Sequence, residues 1–117
     1  MKVLNLTLKK KWFDMILSGE KLEEYREFKD YWINRLGYKY ESNREENGYW
    51  NEEMQNLPDA ICFTNGYGKH RPSFTIEVLD WSLARSRHPE WGGDTEYVQF
   101  IFHLGNILYG TNVQSSN

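Results

Sequence analysis

Three stretches of this chain alternate apolar and polar residues with a period of two, and no other feature constrains the fold class as strongly. Leu4, Leu6 and Leu8 alternate with Asn5 and Thr7. Phe74, Ile76 and Val78 alternate with Ser73, Thr75 and Glu77, and Val98, Phe100, Phe102 and Leu104 with Gln99 and His103. Successive side chains of a strand point to opposite faces, so each stretch predicts a half-buried β-strand. Residues 59–64 predict a further short strand between Pro58 and the turn-rich Asn65-Gly66-Tyr67-Gly68, and residues 106–109 can continue the sheet past Gly105.

Helical spacing occurs only near the front. Within residues 10–18, Trp12, Phe13, Ile16 and Leu17 share one helical face, and Gly19 supplies the stop. Residues 20–27 are helix-friendly in composition but lie behind that break, so helix and extended structure both stay open. Asp30 can cap a short helix with Trp32, Ile33 and Leu36 on its apolar face, ended by Gly37. Residues 38–57 are polar and acidic without a period and predict an insertion or long loop, with a helical turn near 51–56. Residues 85–93 predict another loop.

A chain of 117 residues suits one domain, expected over 1–110, with a frayed polar tail at 111–117. Several short strands with one or two helices predict an α+β domain built on a curled, mostly antiparallel sheet. Closing that sheet into a barrel would remove its edges.

Charge narrows the function. A net charge of −3 argues against coating duplex nucleic acid, where phosphate neutralisation dominates binding, but allows a local basic cleft. Positive residues cluster at Lys9-Lys10-Lys11, at Lys21 with Arg26, and at Lys69-His70-Arg71; negative ones concentrate in 41–53. The single cysteine, Cys62, cannot form an internal disulfide and suits a reducing compartment; within Ala60-Ile61-Cys62-Phe63 it reads as a small buried hydrophobe. The start has no long apolar stretch, so neither a secretory leader nor a membrane partner is expected, and the expected location is the cytoplasm.

Chemistry-bearing residues gather in two places. Gly19-Glu20-Lys21-Leu22-Glu23-Glu24-Tyr25-Arg26 holds two cations and three carboxylates, a set able to move protons or stabilise an anion; read blandly, it is a solvated face with weak salt bridges. Asn65-Gly66-Tyr67-Gly68-Lys69-His70-Arg71 offers backbone amides for a phosphate, Tyr67 for stacking, and basic side chains including Lys69 and Arg71. It also reads as an ordinary hairpin loop. His70, His88 and His103 share no ligand spacing with Cys62, so neither a metal nor a cofactor is expected, and His103 reads as a structural histidine. No P-loop, dinucleotide fingerprint or Ser-His-Asp order is present.

Gly19, Lys21, Glu24 and Arg26 match G-x-K-x-x-E-x-R, and in this the chain resembles the ASCH family, including its small single-domain bacterial and phage-type members. The order of elements around the signature is also similar, except over 38–57. The resemblance implies a PUA-like β-barrel with one or two flanking α-helices. It further implies a cleft around Lys21, Glu24, Arg26 and Glu77 that binds single-stranded RNA or a modified nucleobase or nucleoside, with no particular protein partner. One branch of the family is a metal-independent amidohydrolase acting on acetylcytidine, with a signature Lys, a Thr nucleophile three residues later and a Glu on a later strand. Lys21 and Glu77 match two of these positions, but Glu24 stands where the Thr would be. The alternative function is therefore hydrolysis, of an acylated nucleoside or of RNA, by Lys21 with Glu24 or Glu77 as a base on water. A third reading is a partner-binding domain that uses the acidic segment 41–53.

Overall fold

The protein is described here from a computed structural model, which describes residues 1–43, 49–66 and 70–111. The chain divides into two compact units, Met1–Arg26 with Pro58–Asn117, and Glu27–Leu57.

The first unit is α+β. Its strands are β1 (Val3–Leu8), β2 (Glu23–Glu27, which ends at the unit boundary), and three more that we number β5 (Ala60–Asn65), β6 (Ser73–Ala84) and β7 (Gln99–Thr111), because β3 and β4 fall in the second unit. They form a curled, half-barrel sheet in the order β1-β5-β6-β7-β2. The β5–β6 and β6–β7 pairs are antiparallel, but β1 lies parallel to β5, with Val3 opposite Ala60 and Leu8 opposite Asn65, so the sheet is mixed. A parallel pair needs a long crossover, and everything between Leu8 and Ala60 supplies it. The register of β6 on β7 shifts at three places between Thr75 and Asp80, and such bulges bend a strand and increase its twist.

The helix α1 (Lys10–Leu17) packs on β1 and β5. Its Phe13 and Ile16 are buried, and the Phe13 ring meets Phe74 edge-on at 4.9 Å. Phe63, Phe74, Phe100 and Phe102 are all sealed in the core, each contributing about 1.5–3 kcal/mol by leaving water. Cys62, expected in the interior, is half-buried on β5. The two apolar runs expected at 98–104 and 106–109 are one continuous strand, and residues 20–27, open between helix and strand, contribute β2. The loop expected at 85–93 contains a short 3-10 turn, Pro89–Trp91.

The second unit holds α2 (Asp30–Leu36) and an antiparallel hairpin of β3 (Tyr38–Asn43) and β4 (Tyr49–Met54). The polar stretch 38–57 is thus a hairpin rather than a loop, and the helical turn expected near 51–56 is replaced by β4. Lys29, not Asp30, occupies the N-cap, which places the Asp30 carboxylate in the first helical turn, where it complements the helix dipole. Gly37 ends α2 at φ 65°, a left-handed conformation that glycine adopts without strain. Residues 44–48 and the tail beyond Thr111 lie outside the described residues. Among the described residues, no helix is long and apolar enough to cross a membrane.

Candidate functional site

A tight reversal after α1 builds the site. Gly19 takes φ 86°, and the Lys21 amide bonds back to the Met15 carbonyl at 2.9 Å. The Leu104 amide then donates to the Leu22 carbonyl at 3.0 Å, seating the start of the β2 segment on β7. Lys21 emerges from this turn only 1% exposed, and Glu24 is 4% exposed, so neither belongs to a solvated face.

The Lys21 ammonium donates a 2.8 Å hydrogen bond to the Trp91 carbonyl. It lies 3.5 Å from Glu24 Oε1, 4.3 Å from the centre of the Tyr25 ring and 5.5 Å from that of Trp12. Glu24 Oε1 also accepts the Tyr25 amide at 3.0 Å. Glu24 Oε2 is 3.1 Å from the Arg26 guanidinium, an ion pair whose alignment makes no hydrogen bond, so this buried oxygen keeps unused acceptor capacity. Arg26 in turn donates to the Tyr25 carbonyl at 2.6 Å. The result is a line of cation, carboxylate and cation, inside the protein at one end and reaching solvent at Arg26.

Burial pulls the Lys21 pKa below its ordinary value, because the charged form has lost water; attraction to Glu24 opposes the shift, and Arg26 adds to it. Burial likewise pushes the Tyr25 phenol up, against a hydrogen bond from Ser86, while Glu23 and Glu24 push it further. An ammonium held this way can bind an anionic or carbonyl oxygen, or give up a proton more readily than an exposed lysine.

Lys21 also lines a cleft of about 240 Å³ whose walls include Ile16, Ile76, Leu104, Gly105 and Asn106. That is smaller than the roughly 300–1,000 Å³ typical of drug-sized pockets, and it suits one flat ring better than an extended ligand. Glu77 stands behind this wall. Its Oε1 accepts the Asn106 amide at 3.4 Å and fills the space where a side chain on Gly105 would go.

The structure therefore brings Lys21, Glu24 and Arg26 together and sets Glu77 next to two residues of the Lys21 cleft. Arg71 is exposed and its guanidinium donates to the Gly66 carbonyl at 3.3 Å, within its own turn. Tyr67 and Lys69 lie outside the described residues. Trp91, whose backbone oxygen holds Lys21, carries no sequence signal for that role, since a carbonyl is present on every residue.

A second cluster also escapes sequence reasoning. His103 Nε2 shares a hydrogen bond with Ser82 Oγ at 3.2 Å, its Nδ1 lies 3.3 Å from Glu23 Oε2 without hydrogen-bond alignment, and the Tyr25 hydroxyl donates to Glu23 Oε1 at 3.0 Å. The three residues come from β6, β7 and β2, so only their strand pairing could reveal the grouping. Among the described residues, no group of three His, Cys, Asp or Glu side chains is placed to hold a metal ion.

Fold and site together define an α+β domain with a curled mixed sheet and a buried lysine–glutamate–arginine array beside a small cleft. Comparison with protein-family models, with curated proteins and with solved structures finds no match.

Proposed function

We propose that the chain is an ASCH-type, PUA-like module that binds one splayed base of single-stranded RNA, or a free modified nucleoside, in the cleft beside Lys21. The observation that carries this reading is Lys21, a residue that lines a cleft of single-ring size while its ammonium is sealed among Trp12, Tyr25 and the Trp91 carbonyl. The G-x-K-x-x-E-x-R spacing supports it, because the three charged positions of that signature converge. In this reading Lys21 and Arg26 meet carbonyl or phosphate oxygens, and Glu24 accepts from base donors. Glu77 fixes the Asn106 side of the cleft, and Tyr67, Lys69 and Arg71 engage the flanking strand.

Hydrolysis of an acylated nucleoside or of RNA is the second reading, and the lowered pKa of Lys21 favours it. Glu24 in the Thr position would form an anhydride if it attacked an acyl group directly, so its role in this chemistry is as base on water.

The test incubates short single-stranded RNAs and acylated and methylated nucleosides with the wild type and with Lys21→Met, followed by mass spectrometry and by titration of the unreacted pool. Saturable binding by the wild type that Lys21→Met loses is the expected result. New product masses that depend on Lys21 would shift the assignment to the hydrolase, and neither binding nor turnover by the folded wild type would sink both.

A further inference from the structure

Ser82, His103 and Glu23 form a constellation that the Lys21 cleft does not use. On the β6–β7 ladder Ser82 faces Ile101 and Asp80 faces His103, so Ser82 and His103 are diagonal neighbours on one face of the sheet. β2 follows β7 in the sheet order and delivers Glu23 from the other side. The Ser82 hydroxyl thus reaches His103 Nε2 at 3.2 Å while Glu23 Oε2 reaches Nδ1 at 3.3 Å.

The chemistry of the partners assigns the protons. A carboxylate only accepts, so Glu23 beside Nδ1 favours the tautomer with its hydrogen there, which leaves the Nε2 lone pair facing the Ser82 hydroxyl. Nucleophile, base and orienting acid are recognised by such roles and not by their order along a chain. The Ser82–His103 hydrogen bond is at the long end of its range and the Glu23 contact is not aligned as one, and such catalytic contacts commonly tighten only when substrate binds. Exposure is consistent with these roles: the His103 side chain is 39% exposed and Glu23 only 15%, so the imidazole reaches solvent while the orienting carboxylate is shielded. The Tyr25 hydroxyl holds the other Glu23 oxygen and fixes that carboxylate in place.

We propose that Ser82, His103 and Glu23 form a nucleophilic triad that transfers the acyl group of a neutral or cationic carboxylic ester to water. Ser82 Oγ bonds to the acyl carbon as its proton passes to His103 Nε2. The carbon–alkoxy bond then breaks, and the leaving alcohol takes that proton. Water attacks the acyl-serine, gives a proton to Nε2, and the Ser82 oxygen recovers it as the carboxylic acid departs. Asp80, opposite His103 in the ladder, and Glu23, beside its ring, bring two carboxylates to the histidine's surroundings, which disfavours anionic acyl groups.

The test treats the full chain with an alkyl fluorophosphonate and locates the adduct by peptide mass spectrometry. It runs alongside hydrolysis of p-nitrophenyl acetate and of a p-nitrophenyl ester that carries a free carboxylate. The expected result is an adduct on Ser82 and preference for the neutral ester. The adduct and turnover should both be absent in Ser82→Ala, and labelling should be slowed at least about a hundredfold in His103→Gln. Glu23, as a positioning residue, is read separately: in Glu23→Gln the ¹⁵N shifts of the His103 ring should show loss of the Nδ1–H tautomer. A folded wild type that carries no adduct on Ser82 at excess probe overturns the triad, as does labelling of His103→Gln at the wild-type rate. No step of this test depends on what fills the Lys21 cleft.

Discussion

The Lys21 ammonium ends 2.8 Å from the carbonyl of Trp91, seventy residues further along the chain, and so ties the reversal after α1 to the loop ahead of β7. Within that loop Ser86 donates to the Asp94 carbonyl at 2.7 Å, and the Gly92 and Gly93 amides bond to the Pro89 and His88 carbonyls nearby. Lys21→Met keeps the length and apolar stem of the side chain but leaves the Trp91 carbonyl unpaired. We expect a loss of about 1–3 kcal/mol in chemical denaturation, the cost of a buried polar group left without a partner. Amide exchange at Gly92 and Gly93 should accelerate by more than the global loss explains.

Glu24 lies between two cations, so its removal is expected to cost more than removal of either one. Glu24→Gln leaves the buried Lys21 and the half-buried Arg26 facing each other without a counter-charge, and about 3–5 kcal/mol is typical for breaking such a pair. In that background Lys21→Met should destabilise less than it does alone, by about 0.5–3 kcal/mol. A double-mutant cycle in urea measures this directly, and simple additivity would mean the array is not a coupled unit.

The two buried titrating groups make opposite contributions to stability at high pH. Burial holds the folded Lys21 pKa below its ordinary 10.5. Between the folded value and 10.5 the unfolded chain therefore binds the extra proton, and stability rises with pH. This contribution is complete above 10.5 and lost as pH falls through the folded value. Tyr25 is shifted upward from 10.0, also by burial, so above that value the unfolded phenol ionises first and stability falls. The wild type should gain on Lys21→Met as pH climbs toward 10.5, and should lose relative to Tyr25→Phe above 10.0. Denaturant titrations from roughly pH 7 to pH 11 separate the two, and a pH-independent gap between wild type and Lys21→Met would contradict the first.

The strands with clean alternation, β1, β6 and β7, are legible in the sequence because their apolar residues repeat every second position. β2 is not, since its three Glu and its Arg favour helix locally and only its place beside β7 makes the segment extended. The hairpin of β3 and β4 is hidden by its polar composition. In the site, Lys21, Glu24 and Arg26 lie close enough in sequence to suggest a cluster, but the contacts that bury Lys21, the Trp12 ring and the Trp91 carbonyl, come from other parts of the chain. Ser82, His103 and Glu23 sit on three strands, and their meeting follows from a register that no local pattern encodes.

The loop that holds the Trp91 carbonyl is itself held by a close contact between Gly93 and Ser86. A Cβ added at Gly93 would land on the Ser86 side chain and lie 3.1 Å from the His88 carbonyl. Serine is too short to swing away as a long side chain would, and its Oγ is engaged, accepting the His88 amide at 2.9 Å. Gly93→Ala should therefore displace Ser86, break that bond and cost about 1–3 kcal/mol, as overpacked sites do. Removing the obstacle should restore part of the loss, so Gly93→Ala combined with Ser86→Gly is expected to be more stable than the sum of the two single changes predicts. Thermal and urea unfolding of the four proteins reads this directly. If the combination is merely additive, the contact does not constrain the loop, and the exchange rates at Gly92 would be governed by the Lys21 hydrogen bond alone.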